Sequence, residues 1–287
     1  MATNPALERM GYAPDDRLLI FHADDIGMCQ STLPALANML EFGLVSSAAT
    51  MVPCPWFPAA AEFCRAHPGV DMGVHLTLNC EWRSFRWGPV STADLASGLI
   101  DADGYFYAAP ADTIAHADEA AVAQELGAQV RRALAAGIDA THLDAHMGTP
   151  ASPRFAPTHL ALAQEHRLPA FFSRYHGDWF PELRPTLDQL ATEERLLIDN
   201  VLMLPLDNPN EQVALAKRMV SDLQPGITVL IFHPAVDSPE LRAIAPDWAS
   251  RVANYHVGLS IELREHIRKS GVKLVGYRPL RDMLRAA

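Results

Sequence analysis

The residues of this chain with most capacity for chemistry are acids and imidazoles at the ends of apolar runs. RLLIF leads into His22-Ala23-Asp24-Asp25. A second run, MGVHLTL, carries His75; a third, THLDAH, carries His142, Asp144 and His146; a fourth, ITVLIF, ends in His233-Pro234. Two imidazoles and one carboxylate form a ligand set that leaves coordination positions open, as a hydrolytic metal site requires. Such a set suits Zn²⁺, and also Fe(II), Mn²⁺ or Co²⁺. Adjacent carboxylates in a dry setting repel unless a cation or donor lies between them, so Asp24-Asp25 favours an ion nearby. Each residue alone has a plainer reading. The Asp pair could cap a turn, His75 could be a core histidine, and one H-x-x-x-H spacing is unremarkable among 12 histidines. It is the conjunction that points to a site.

Extended geometry narrows the choice. On a strand over 141–146, His142, Asp144 and His146 share a face. The two imidazoles then stand about 13 Å apart and cannot both hold one ion. His146, nearer the tip, is the better ligand, and His142 falls to the layer behind or to the core. On the first strand successive side chains alternate, so Asp24 and Asp25 are expected to diverge, one toward an ion and one toward a substrate water.

Strand-like and helix-like segments alternate behind these residues. Strands are expected over 17–22, 45–52, 71–78, 141–146, 170–175, 201–206, 227–232 and 272–277. Helices are expected over 30–42, 57–66, 118–136, 157–166, 211–223 and 252–268, while 176–199 fits neither pattern. In 118–136, Ala123, Leu126, Val130 and Leu134 fall on one face, and Gly137 stops the helix. Repeated βα units imply an α/β protein with a parallel sheet, as a barrel or a doubly wound sheet. In either, the C-terminal strand tips form the active face, and the acids and imidazoles lie at those tips. No G-x-G-x-x-G follows the first strand and there is no P-loop, so nucleotide binding has no support. No linker or low-complexity tract divides the chain, and one domain over 1–287 is expected.

Residues 79–116 interrupt the rhythm with Trp82, Phe85, Trp87, Tyr105, Phe106 and Tyr107. The segment reads as a packed excursion or as a wall over the site. Trp82 and Arg86 are candidates to meet a sugar-like or anionic group. Arg174, at the tip of the strand over 170–175, is a candidate to orient a substrate carboxylate.

The 287 residues are 49% hydrophobic and 20% charged, an ordinary globular composition. A net charge of −11 repels phosphate backbones and anionic bilayers, which argues against nucleic-acid and membrane partners. Cys29, Cys54, Cys64 and Cys80 form no C-x-x-C pair, so a reduced, cytoplasmic protein is expected rather than a disulfide scaffold. No apolar stretch resembling a secretory signal precedes Leu18, and no run approaches 18 apolar residues.

Four segments resemble a known family. HADDIG is similar to the N-A-D-D-F-G opening of the YdjC-like carbohydrate deacetylases, which include chitooligosaccharide deacetylases. MGVHLTL resembles their G-x-H-x-x-L strand, THLDAH their T-H-L-D-S-H segment and IFHPAVD their C-H-P-A motif. The motifs occur in order across residues 18–237, and the C-terminal VKLVGYRPL also fits. The resemblance implies a deformed TIM-like (β/α) barrel, often a homodimer, acting on a small carbohydrate. It implies Asp25, His75 and His146 as ligands of one divalent metal ion, Zn or Mg foremost. It implies Asp24 as general base and His233 as general acid. Two departures border the expected pocket. His22 stands where the family has Asn, and Met147-Gly148-Thr149-Pro150 stands where further histidines often follow.

The expected activity is metal-dependent removal of an N-acetyl group from a carbohydrate. The alternatives are deacylation of a non-sugar amide, an Fe(II) oxygenase, and a catalytically silent carbohydrate-binding barrel. The βα rhythm argues against the oxygenase, and the presence of both Asp24 and His233 against the silent barrel.

Overall fold

A computed structural model describes residues 4–286. Among these, seven strands form one parallel sheet: β1 (Arg17–Ile26), β2 (Ser47–Thr50), β3 (Met72–Leu76), β4 (Leu143–Ala145), β5 (Asn200–Met203), β6 (Gly226–Phe232) and β7 (Lys273–Leu274). The order is β4-β3-β2-β1-β6-β5, with β7 paired to the start of β1.

Strand parity builds two cores. Leu18 and Ile20 of β1 point inward with Ile227, Val229, Ile231 and Tyr277. Leu19, Phe21 and Ala23 point outward, beneath the helices, with Leu230 and Phe232. Phe21 and Phe232 stack across β1 and β6 with centroids 4.3 Å apart. Both faces of these strands are covered, which is why they read as continuous apolar runs. Each such side chain contributes about 1.5–3 kcal/mol on burial. The same period of two carries His22, Asp24 and His233 to the interior, above the apolar layer.

The sheet curls into a deformed TIM-like (β/α) barrel. The strand expected over 170–175 is not regular. Ala170 makes one parallel bridge to Leu143 and Ser173 makes one to Ile198. These two contacts carry the ring from β4 to the start of β5. The Ser173 N–H donates to Nδ1 of His176 rather than to a neighbouring strand, so the chain turns into the helix His176–Trp179. The undecided 176–199 thus holds that helix and Arg184–Thr192.

Other expectations are corrected. β1 runs past His22 to Ile26. The helix over 252–268 is two helices, Trp248–Gly258 and Ile261–Ser270, and Ser260 caps the second by accepting from Leu263 N–H. In the helix Glu119–Ala135 the apolar stripe is Val122, Leu126, Val130 and Ala133; Ala123 and Leu134 are exposed. The face is rotated because Glu125 and Gln129 turn inward to satisfy loop backbone. Glu125 accepts from Val90 N–H at 3.1 Å and Ser91 N–H at 2.8 Å. Gln129 exchanges two hydrogen bonds with the backbone of Thr77. The excursion over 79–116, which contains the helix Pro110–His116, is pinned to the barrel in this way. All four cysteines are free and buried. Among the described residues no helix is long and apolar enough to cross a membrane.

Candidate active site

The C-terminal ends of β1, β3, β4 and β6 open into a cavity of about 560 Å³, lined by Asp24, Asp25, His75, His146 and His233 among others. Parity explains Asp24 but not Asp25, which should face the helices. Instead Asp25 adopts φ 62°, and the β1–β2 register slips between Ala23 and Ile26. A left-handed non-glycine residue costs about 1–3 kcal/mol and is held only where its surroundings demand it. Here the demand includes Arg251, whose Nη1 donates to Asp25 Oδ2 at 2.7 Å. The two acids therefore do not diverge. His75 lies between them, Nε2 at 3.4 Å from Asp25 Oδ1 and Nδ1 at 3.8 Å from Asp24 Oδ1.

Asp25 Oδ1, His75 Nε2 and His146 Nδ1 form a nearly equilateral triangle with edges of 3.4, 3.2 and 3.3 Å. Ligand atoms about 2.0–2.1 Å from a shared ion stand about 2.9–3.4 Å apart in octahedral or tetrahedral geometry. Asp25 Oδ1 is buried without a hydrogen-bond partner. Burial alone would lower the pKa of both imidazoles, but neighbouring carboxylates outweigh it. Asp24 and Asp144 hold His75 well above its ordinary value, and Glu81 and Asp25 raise His146 to about 9. A divalent ion would supply the positive charge that these two protons otherwise provide, so the donor set fits such an ion. His146 Nε2 lies 3.0 Å from Glu81 Oε2, the carboxylate backing that orients imidazole ligands.

A second buried network lies behind the triangle. His22 Nε2 is 2.9 Å from both Asp24 Oδ1 and Asp144 Oδ2, and its Nδ1 is 3.0 Å from Ser47 Oγ. Asp144 Oδ2 is also 3.4 Å from His75 Nδ1. Burial and the Asp144 charge push the Asp24 carboxyl up to about 6. His233 lies across the cavity, Nε2 at 3.9 Å from Asp24 Oδ2. Burial lowers it to about 4, so it is neutral at pH 7. Its Nδ1 is buried without a partner.

The remaining sequence candidates lie elsewhere. His142 is beneath the site, stacked on Tyr277 at 3.8 Å and edge-on to His22 at 4.9 Å. Gly73 leaves it room, since a Cβ there would run into the imidazole. Trp82 does not line the cavity; its ring packs against the Arg251 guanidinium at 5.1 Å and so supports Asp25 from behind. Arg86 pairs with Asp101 at 2.6 Å and lies over Tyr105. Arg174 pairs with Asp199 at 3.3 Å in a separate cavity beside Asn4 and Tyr175. Sequence reasoning gave no role to Asp144, and missed Glu81, Arg251 and Asp247, whose carboxylate accepts from Arg251 Nε at 3.0 Å. Asp144 carried a signal, the same strand parity as His146. Arg251 carried none, because its pairing with Asp25 spans 226 residues.

Residues 18–269 match the family described as YdjC-like protein. A Thermus thermophilus protein named carbohydrate deacetylase is 33% identical over 87% of this chain and 88% of its own length. A Listeria monocytogenes protein of the same name is 28% identical over 91% of this chain and 99% of its own. A solved Enterococcus faecalis structure, described as a cellobiose-phosphate cleavage protein, superposes with a TM-score of 0.78 at 23% identity, covering 92% of this chain and 99% of that one. It shares the fold. Taken with the four ordered motifs, these matches show that the chain belongs to the YdjC-like family.

Proposed function

We propose that this protein is a metal-dependent hydrolase that removes an N-acetyl group from a small carbohydrate. The observation that carries the reading is the Asp25–His75–His146 triangle, with Asp24 and His233 beside it in one cavity. The names of the relatives supply the substrate class.

Asp25, His75 and His146 would hold one divalent ion, Zn or Mg. When bound, it supplies Lewis acidity toward water and the amide carbonyl. Asp24 takes the proton of the attacking water. Its carboxyl is poised near 6, so it is ionised at pH 7 yet basic enough to accept. His22, hydrogen-bonded to Asp144 Oδ2, stands 2.9 Å from Asp24 Oδ1. His233 Nε2, 3.9 Å from Asp24, takes up the proton that Asp24 removed from the water and, as the imidazolium, passes it to the leaving nitrogen. Arg251 holds Asp25 through Oδ2 and leaves Oδ1 free to face the imidazoles. Residues 79–116 wall the site through Glu81. The four free, buried thiols suit a reducing compartment, the cytoplasm. A homodimer is part of this reading.

The test is acetate release from a panel of N-acetylated mono- and oligosaccharides, with added divalent metal and again with chelator. Chelator-sensitive release is expected. Stoichiometric metal without release from any member would overturn the reading.

A further inference from the structure

The cavity lining is of two unlike kinds. The acids, imidazoles and Arg251 form its polar part. Met147, Phe171, Trp179, Phe180, Met203 and Leu206 form much of its apolar part. Their only strong hydrogen-bonding group is the Trp179 indole N–H. His176 also lines the cavity, and its Nδ1 is turned to Ser173. Trp179, Met203 and Met147 are 57%, 54% and 43% exposed, so three of the more exposed large apolar side chains among the described residues line this one cavity. Met147 is held there by the backbone, with φ 51° followed by Gly148 at φ 69°. Exposed apolar residues that gather at one cavity mark a binding surface.

A second sugar ring could lay one face on Trp179, but its hydroxyls would find few partners along the rest of such a wall. Each hydroxyl buried there without a partner weakens binding by roughly tenfold. Hydrocarbon suits it, and flexible thioethers adapt to chains of varied shape. The volume, about 560 Å³, takes one sugar and an apolar group of similar size. We infer that the substrate is amphiphilic: an N-acylated sugar whose attached hydrocarbon lies on the Met147–Trp179–Met203 wall. This inference rests on the deacetylase reading for the polar part of the cavity. The hydrocarbon can come from an alkyl aglycone or from an N-acyl chain longer than acetyl.

The test is calorimetric binding to the metal-loaded protein carrying Asp24→Asn, which is expected to keep metal and lose turnover. The probes are the methyl and octyl glycosides of N-acetylglucosamine, and the N-hexanoyl counterpart of the methyl glycoside. The octyl or the hexanoyl compound is expected to bind at least about 30-fold more tightly than the methyl parent. A more negative heat-capacity change should accompany it. Whichever compound gains identifies the source of the hydrocarbon. In a Trp179→Ala/Met203→Ser variant, the ratio of long-chain to parent affinity should fall below about threefold. Both side chains are exposed, so the fold does not depend on them. Equal affinity for all three probes, or a gain that survives the double variant, would overturn the inference. Binding is read without turnover, so a failure of acetate release leaves this result interpretable. Release from the methyl glycoside with no long-chain advantage would sink the amphiphile and spare the deacetylase.

Discussion

Asp24 and Asp25 are neighbours in sequence but stand in opposite electrostatic settings. Burial raises the pKa of both. For Asp25 it is outweighed by Arg251, His146 and His75, which hold the carboxyl well below the usual range. For Asp24 burial and the Asp144 charge win. Two adjacent acids thereby become a permanent anion and a proton acceptor. Replacing Asp24 by Asn keeps the shape and removes the acceptor. Asp24→Asn should retain wild-type metal stoichiometry and lose about 10²–10⁴-fold in kcat; a rate near wild type would move the base to another residue. His75→Ala removes one corner of the triangle and should abolish stoichiometric metal, read by elemental analysis after dialysis; full retention would take His75 out of the ligand set. The inward-facing residues were legible because strand period and strand tips dictate them. Arg251, and the φ of Asp25 that turns it inward, were not. Both arise from a long-range ion pair that no local spacing encodes.

At the scale of elements, the helix Glu119–Ala135 does more than cover the sheet. Glu125 is fully buried and receives the N–H groups of Val90 and Ser91 and the amide of Gln129. That carboxylate ties the 79–116 excursion to the barrel, and the excursion brings Glu81 to His146. Glu125→Ala should therefore act twice. Leaving two backbone donors without partners should cost about 2–4 kcal/mol, read as a lower denaturation midpoint. Loosening Glu81 should also weaken metal binding by about 10–100-fold, since groups that orient a ligand contribute on that scale. Unchanged metal affinity in a destabilised variant would separate the excursion from the site. The βα alternation was legible because buried parallel strands are apolar and short. The segment over 170–175 was misread as a regular strand for the same reason: FFS is apolar, but the Ser173 amide is claimed by His176. The helix face of 119–135 was misread because apolar periodicity assigns polar residues outward, and Glu125 and Gln129 point in to serve loop backbone.

At the scale of the whole molecule, stability should depend on pH through buried histidines that are not among the proposed ligands or proton carriers. His159 packs between the helix Ala156–His166 and the barrel, tilted on Phe172 at 5.1 Å, with Nε2 at 3.3 Å from the Leu143 carbonyl. Burial lowers its pKa to about 4, and burial does the same to His176. In the unfolded chain both titrate near 6.5. Below that pH the unfolded state binds protons that the folded state refuses, so stability falls as the pH drops from about 6.5 toward 4. Above 6.5 neither histidine contributes a pH dependence. Each should remove about 2 kcal/mol between pH 7 and pH 5. His159→Phe keeps an aromatic ring and removes the titration. The Leu143 carbonyl still accepts from Phe171 N–H at 3.0 Å, so it is not left bare. The variant should therefore lose about 2 kcal/mol less than wild type over that interval, measured by denaturant unfolding at both pH values. The difference matters because residues 170–173 close the barrel through only two single bridges. His159 and His176 both pack against Phe172 in that closure, at 5.1 and 5.4 Å, and acid should open the ring there first. An identical pH dependence in His159→Phe and wild type would place the acid sensitivity elsewhere.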